Sequence, residues 1–311
     1  MKLLKALLIY IYLFIFFVPL AFAEDLKISS LIRPPFTMQW ENWELTGFSV
    51  ELWDAVAEKI NREYTIESYE VFSELLADTQ SGKNHLSIGN ISITSGREEV
   101  MDFSNPIFDS WLALMVGGES AQQESFLHHI LSWYSLLWII ILTLWPLIVS
   151  LNVSKKKLRK RWHLYILLYA FACTSLLSYS YTNFVIHDTL SKSYNIGTLA
   201  DKNVACIASS TAEKFLIELD IPYKAYDSLD EIYSSLTLWE SEVLVHDYPV
   251  LLYKSQKEPS FTLVWDIFKK EKYWILYPKW SDLKEPVNIA LLELQGEGVY
   301  DTIYSKYFWD E

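Results

Sequence analysis

Residues 91–106 read ISITSGREEVMDFSNP. The alternation in HLSIGNISI, residues 85–93, predicts a strand that runs into this stretch. Arg97 then falls in the early turn of a predicted helix, where the helix dipole disfavours a cation. A guanidinium presents a planar fork suited to gripping a carboxylate with two hydrogen bonds. Arg97 is therefore a candidate anchor for an acidic group. The competing reading is a surface arginine paired with Glu98 or Asp102.

Outward from this stretch, strand and helix patterns alternate. LKISSLI (26–32) reads as a strand leading into Pro34-Pro35-Phe36, and Gly47 precedes a helical face of Phe48, Leu52, Ala55, Val56 and Ile60. YTIESYE (64–70) is a further strand. The second half repeats the alternation. NVACIA (203–208) reads as a strand, SSTAEKFLIEL (209–219) as a helix opening on the capping box Ser210-x-x-Glu213, and EVLVHD (242–247) and KYWILYP (272–278) as strands. Terminal helices carry Val287, Ala290, Leu291 and Leu294, then Ile303 and Phe308 beyond Gly298. This βα order argues an open α/β layer rather than a sandwich.

Between the halves lies a different chemistry. Leu131–Leu151 and Trp162–Thr182 are uncharged runs of 21 residues each, long enough for helices that cross about 30 Å of hydrocarbon. The loop 152–161 holds Lys155, Lys156, Lys157, Arg159, Lys160 and Arg161. At the start of the chain, Lys2 and Lys5, an apolar run and Ala21-Phe22-Ala23 form a signal-peptide pattern over residues 1–23. An export signal and a cationic loop give the same topology: both halves outside, the loop in the cytoplasm. The competing readings are an uncleaved anchor and a pair of buried core helices. Setting aside the six loop cations and two leader lysines takes the formal charge from −13 to −21 on the remainder, which offers no basic patch for nucleic acid. Cys173 and Cys206 lie in dissimilar segments, so no bridge between them is expected, and no Cys/His spacing suits a metal. No cofactor is expected.

Three blocks of the chain resemble a known family. ISITSGREEVMDFSNP, SEVLVHDYPVLLY (241–253) and KYWILYPKWSDLKEPVNIALLELQGEGVYDTIYSKYF (272–308) are similar to segments of family 3 periplasmic solute-binding proteins and of the agonist-binding core of ionotropic glutamate receptors. A membrane hairpin between the halves is the arrangement of the receptor branch. The resemblance implies an α/β fold of the bilobed periplasmic-binding-protein type II class, with a two-helix transmembrane hairpin inserted in lobe 2. Residues 24–118 and 191–311 would be the two halves of the ligand-binding domain, and 119–190 the hairpin segment.

The resemblance also assigns roles. Arg97 would hold a ligand's α-carboxylate, with Ser92 as the helping hydroxyl and Asn90 at the adjacent backbone position. Asp247, at the end of an apolar strand, would bind the ammonium, so that Arg97 and Asp247 together read a zwitterion. His246 is either an added polar contact or an ordinary strand-end histidine. Ser210 and Thr211 open a helix, where a hydroxyl either caps the helix or meets a ligand anion. Phe72, 25 residues before Arg97, matches an aromatic that lines the cleft in bacterial relatives, though a lone Phe is core more often than not. Arg33 is a departure, since relatives carry an aromatic or an acid there, and a second cation favours an acidic or larger ligand.

The implied partners are an amino acid or similar small zwitterion, the lipid bilayer and further copies of the chain, because one hairpin cannot enclose a pore. Ser180-Tyr181-Thr182-Asn183 resembles the receptors' gate segment. The loop 152–161 replaces their re-entrant pore loop, so any conduction would rely on side chains such as Ser175, Ser178, Tyr179 and Thr182. No nucleophile–base arrangement suggests an enzyme. The expectation is a ligand-gated, channel-like amino-acid receptor of the bacterial inner membrane. The alternative is a membrane-tethered binding protein that serves a transporter or sensor.

Overall fold

A computed structural model describes residues 25–39, 44–117 and 194–308, with isolated residues between 167 and 178. They form two α/β lobes. In lobe 1, strands β1 (Leu26–Leu31), β4 (Tyr64–Tyr69), β5 (Leu86–Ile88), β6 (Met101–Phe103) and β12 (Leu276–Pro278) form a sheet in the order β4-β1-β5-β12-β6. β1 is parallel to β4 and β5, and β12 is antiparallel to β5 and β6. A small ribbon pairs β2 (Met38–Gln39) with β3 (Leu45–Thr46). The helices are α1 (Phe48–Lys59), α2 (Phe72–Gln80), α3 (Ser95–Val100), α7 (Lys284–Gly296) and α8 (Val299–Phe308). Leu52, Trp53 and Val56 of α1 and Val287, Leu291 and Leu294 of α7 pack with Ile28, Leu86 and Ile88 of the sheet. Their spacing places one apolar stripe of each helix against the strands.

Lobe 2 holds β7 (Phe108–Gly117), β8 (Val204–Ile207), β9 (Tyr223–Tyr226), β10 (Val243–Asp247) and β11 (Phe261–Tyr273), in the order β11-β7-β10-β8-β9. Its helices are α4 (Thr211–Glu218), α5 (Leu229–Thr237) and α6 (Tyr248–Lys257). Leu112, Leu114 and Val116 of β7 join one apolar cluster, Ala113 and Met115 another. A strand covered on both faces needs a continuous apolar run, and LALMV supplies it.

The chain passes between lobes through residues 104–107 and 274–275. These crossings are bonded to each other: Ser104 N–H donates to Ile275 O at 3.0 Å, Ile275 N–H to Ser104 Oγ at 2.9 Å, and Ile107 N–H to Tyr273 O at 2.8 Å. KYWILYP is therefore not one strand. Lys272 and Tyr273 end β11 in lobe 2, and Leu276–Pro278 form β12 in lobe 1. The apolar alternation continues through the crossing because both sides of it are buried, so periodicity could not mark the break.

A turn at Arg33–Thr37 is anchored by the start of α1. Phe48 N–H donates to Pro35 O at 3.0 Å and Ser49 N–H to Phe36 O at 2.9 Å, which satisfies amides that a helix start leaves unpaired. Gly47 makes this approach possible. Its φ is +121°, and a Cβ there would sit 2.5 Å from Phe36 O.

The expected helix 131–151 and loop 152–161 lie outside the described residues. Of 162–182, residues 167–171, 173–175 and 178 are described and are helical. Among the described residues no helix is long and apolar enough to cross a membrane. In lobe 2 the described residues run to Gly117 at the end of β7 and resume ahead of the short helix Ile196–Asp201, which leads to β8. Both points lie at one end of the sheet, since Val243 of β10 faces Val116 and Val204, whereas Asp247 faces Leu112 at the other end. Cys206 is buried and both cysteines among the described residues are free.

Candidate functional site

Each parallel strand delivers its next loop to the same cleft. β1 leads to Arg33, β4 to Phe72, β5 to Asn90, Ser92 and Arg97, β8 to Ser210 and Thr211, and β10 ends on His246 and Asp247. Ligands bind at the carboxyl ends of strands in open α/β layers for this reason: the loops there converge. All of these residues are buried.

Arg97 lies in the first turn of α3, where the Thr94 hydroxyl caps the helix by accepting from the Arg97 N–H at 3.3 Å. Arg97 as a whole is only 9% exposed, and its guanidinium donates to Ser92 O at 2.5 Å within lobe 1 and to Ser209 O at 2.7 Å across the cleft. The surface pairing considered above is not made. Asp102 is held instead by Lys279 at 3.2 Å and by the Trp280 N–H at 2.7 Å. Burial pushes the Arg97 pKa down to about 10, with the charge of Glu271 opposing the shift.

Phe72 opens α2, and its ring centroid lies 4.9 Å from the guanidinium carbons of both Arg33 and Arg97. A ring face attracts cations, so one aromatic positions two like charges in a small space. Arg33 is itself 4% exposed, and burial lowers its pKa while the charge of Asp247 opposes this.

On lobe 2, Asp247 accepts from Asn90 Nδ2 at 2.7 Å, a bond that joins the lobes. The sequence reading gave Asn90 a backbone role; its side chain acts here. The Tyr273 hydroxyl acts electrostatically on the Asp247 carboxylate and lies 2.7 Å from the Ser110 hydroxyl. Burial raises the Asp247 pKa, and Tyr273, Arg33 and Asn90 pull it back. His246 is 1% exposed, and neither ring nitrogen has a partner among the described residues. Burial and then Arg33 hold its pKa well below the usual value, so it is neutral.

The two hydroxyls of the lobe-2 helix divide their tasks. Ser210 caps α4, accepting from the Glu213 N–H at 3.2 Å and donating to Ile207 O at 2.6 Å. The reciprocal bond of the expected capping box reaches Ser209 rather than Ser210, from Ser209 N–H to Glu213 Oε2 at 2.6 Å. Thr211 faces the cleft and donates to Glu271 Oε2 at 2.8 Å, the same oxygen that accepts from Ser92 Oγ at 2.7 Å. Glu271 and Tyr273 were not singled out from sequence. The signal was period two: in the lysine-rich KKEKY (269–273), Glu271 shares the strand face of the buried Tyr273. Among the described residues no group of acids, histidines and cysteines could hold a metal ion.

The chain from residue 26 to 310 matches the profile of the bacterial extracellular solute-binding proteins, family 3. The chain belongs to that family. Curated relatives match over shorter stretches. The arginine-binding periplasmic protein of Mannheimia haemolytica is 30% identical over 93 residues, which is 30% of this chain and 39% of that one. A kainate-type ionotropic glutamate receptor, glr-3 of Caenorhabditis elegans, is 28% identical over 103 residues, 30% of this chain and 12% of that one. The chain thus spans well under half the length of these relatives. Among solved structures, the GluR0 ligand-binding core of Nostoc punctiforme in complex with L-glutamate superposes with a TM-score of 0.62 at 26% identity, covering 91% of this chain and 99% of that chain. The arginine-, lysine-, histidine-binding protein ArtJ of Geobacillus stearothermophilus gives 0.65 at 18% identity, covering 93% and 96%, a likeness of fold. The bilobed type II fold and the amino-acid-binding class expected from sequence are those of these family 3 relatives.

Proposed function

We propose that this protein is an amino-acid-binding membrane receptor whose lobes close on a zwitterion. The observation that carries this reading is the meeting of Arg97 from lobe 1 and Asp247 from lobe 2 in one buried cleft. Arg97 takes the carboxylate, with Ser92 and Thr211 as hydroxyl donors, and Asp247 takes the ammonium beside Asn90. Phe72 and His246 line the space, Ser210 holds α4 in place, and Arg33 adds a second cation that suits an acidic or extended side chain. Among similar proteins, one is named for arginine and another is solved with L-glutamate, which supports the class and leaves the member open.

The membrane part of the proposal rests on the uncharged runs 131–151 and 162–182 around the cationic loop. The exposed helical residues Leu167, Leu168 and Phe171 support it, as apolar side chains that lipid would cover. Residues 1–23 would be a cleaved leader, 119–190 the hairpin segment in the bacterial inner membrane, and 24–118 and 191–311 the periplasmic halves. The hairpin would hang from the end of β7 remote from Asp247, four residues or roughly 14 Å along the strand, so lobe closure pulls on it. A homo-oligomer would then conduct ions as a ligand-gated channel. The alternative, a tethered binding protein without conduction, is favoured by one observation: the loop 152–161 is too short and charged to re-enter the bilayer.

Recording from purified protein in planar bilayers, with amino acids on the outer side, separates the two. Ligand-dependent current that Arg97→Ala removes supports the channel. Binding without current supports the tethered form, and no binding of any amino acid sinks both.

A further inference from the structure

Glu271 extends from β11, the lobe-2 strand that runs into the crossing at Trp274. One of its carboxylate oxygens receives both the Ser92 hydroxyl of lobe 1 and the Thr211 hydroxyl of lobe 2, at 2.7 and 2.8 Å. Each hydroxyl has a single proton to donate. While Glu271 stays, neither can serve the carboxylate of a ligand.

We propose that Glu271 is an internal stand-in for the ligand carboxylate: it ties the two lobes together across the cleft, and an amino acid binds by displacing it. This rests on the reading of the cleft as an amino-acid site. The Ser92–Glu271 bond ties lobe to lobe, as the bonds from Arg97 to Ser209 O and from Asn90 to Asp247 do.

Displacement requires somewhere for Glu271 to go, and the structure supplies it. Behind the cleft lies an open recess of about 470 Å³, lined by Ser92, Thr211, Lys214, Lys269, Glu271 and Trp274. Trp274 Nε1 is buried with no partner among the described residues, a donor waiting for an acceptor. Lys214 and Lys269 reach Glu218 at 4.0 and 3.8 Å, and Lys269 lies 5.2 Å over the Phe215 ring. A rotation of Glu271 away from the two hydroxyls brings its carboxylate toward this indole and these ammonium groups. The incoming carboxylate inherits Ser92 and Thr211, so hydrogen bonds are exchanged rather than lost.

The test titrates full-length protein in detergent with L-glutamate, L-glutamine and L-arginine by calorimetry. Wild type is compared with Glu271→Ala and Glu271→Gln, each with and without Arg97→Ala. Removing the competitor should tighten at least one probe by about tenfold for alanine and less for glutamine, and Arg97→Ala should abolish the gain. Without ligand, hydrogen exchange at residues 209–213 should quicken in Glu271→Ala as the cleft loosens. If both Glu271 variants bind the probes no better than wild type, the stand-in is overturned and the amino-acid site survives. Binding of no probe by any protein, wild type included, overturns the site reading and this inference together.

Discussion

Two regions meet at Tyr273 and are built on opposite principles. On one side is a knot of rings, where Phe108 stacks on Tyr273 at 5.6 Å and 11°, and Phe36 and Phe308 approach Phe108 at 5.0 and 4.7 Å. On the other is the cleft, where Arg33, Arg97, Asp247 and Glu271 are each under 10% exposed. The rings stabilise through buried area and edge-to-face contact and need no particular partner. The charges stabilise little in sum, because desolvation offsets their attraction, and they tolerate only a matched set. The knot therefore joins the lobes, whereas the cleft, on the proposed reading, selects what they close on. Tyr273 serves both, with its ring in the knot and its hydroxyl against Asp247.

The comparison yields a graded set of tests. Phe108→Ala should have the largest effect on stability, a loss of about 3–5 kcal/mol in denaturant unfolding, since it empties the centre of the knot. A loss below about 1 kcal/mol would mean that the knot does not join the lobes. Arg97→Ala should weaken amino-acid binding about a hundredfold or more by calorimetry, with the native circular dichroism spectrum retained. Wild-type-like affinity there would dismiss the cleft assignment.

Asp247→Asn should weaken zwitterions about tenfold or more while sparing analogues that lack the ammonium, and equal losses for both would count against its role. The same residue sets a pH dependence. Burial raises its pKa, and the ammonium needs the charged form, so affinity should fall as pH drops, beginning above the ordinary carboxylate value of about 4. Asp247→Asn should flatten that profile. Tyr273→Phe should have the smallest effect, about 1 kcal/mol in binding, because the knot keeps its ring while the cleft loses one hydroxyl. A stability loss as large as that of Phe108→Ala would erase the distinction between the regions.

The predicted site residues were legible because they share one address, the loop after a parallel strand. Local sequence marks that address through an apolar run followed by polar residues, as in VLVHD and HLSIGN. Glu271 has a different one. It lies inside an antiparallel strand, opposite Ser110 of β7, among three lysines of which Lys270 and Lys272 reach Asp109 at 3.8 and 2.7 Å. A lysine-rich strand reads as a solvated edge until its pairing is known. Thr211 and Ser210 could not be told apart either, since both are hydroxyls at a helix start and only their orientation separates cap from cleft.

By itself the sequence determined the α/β class and showed two apolar runs between its halves, and it singled out Arg97 and Asp247, which the fold brings to one cleft. These depend on periodicity, charge and local motif, which act over a few residues. The break of KYWILYP between lobes, the sharing of Phe72 by two arginines and the seat of Glu271 on Ser92 and Thr211 were decided by tertiary structure. Each joins groups far apart in the chain, and burial of charge in a closed cleft has no local signature. It exists only once both lobes are folded against each other.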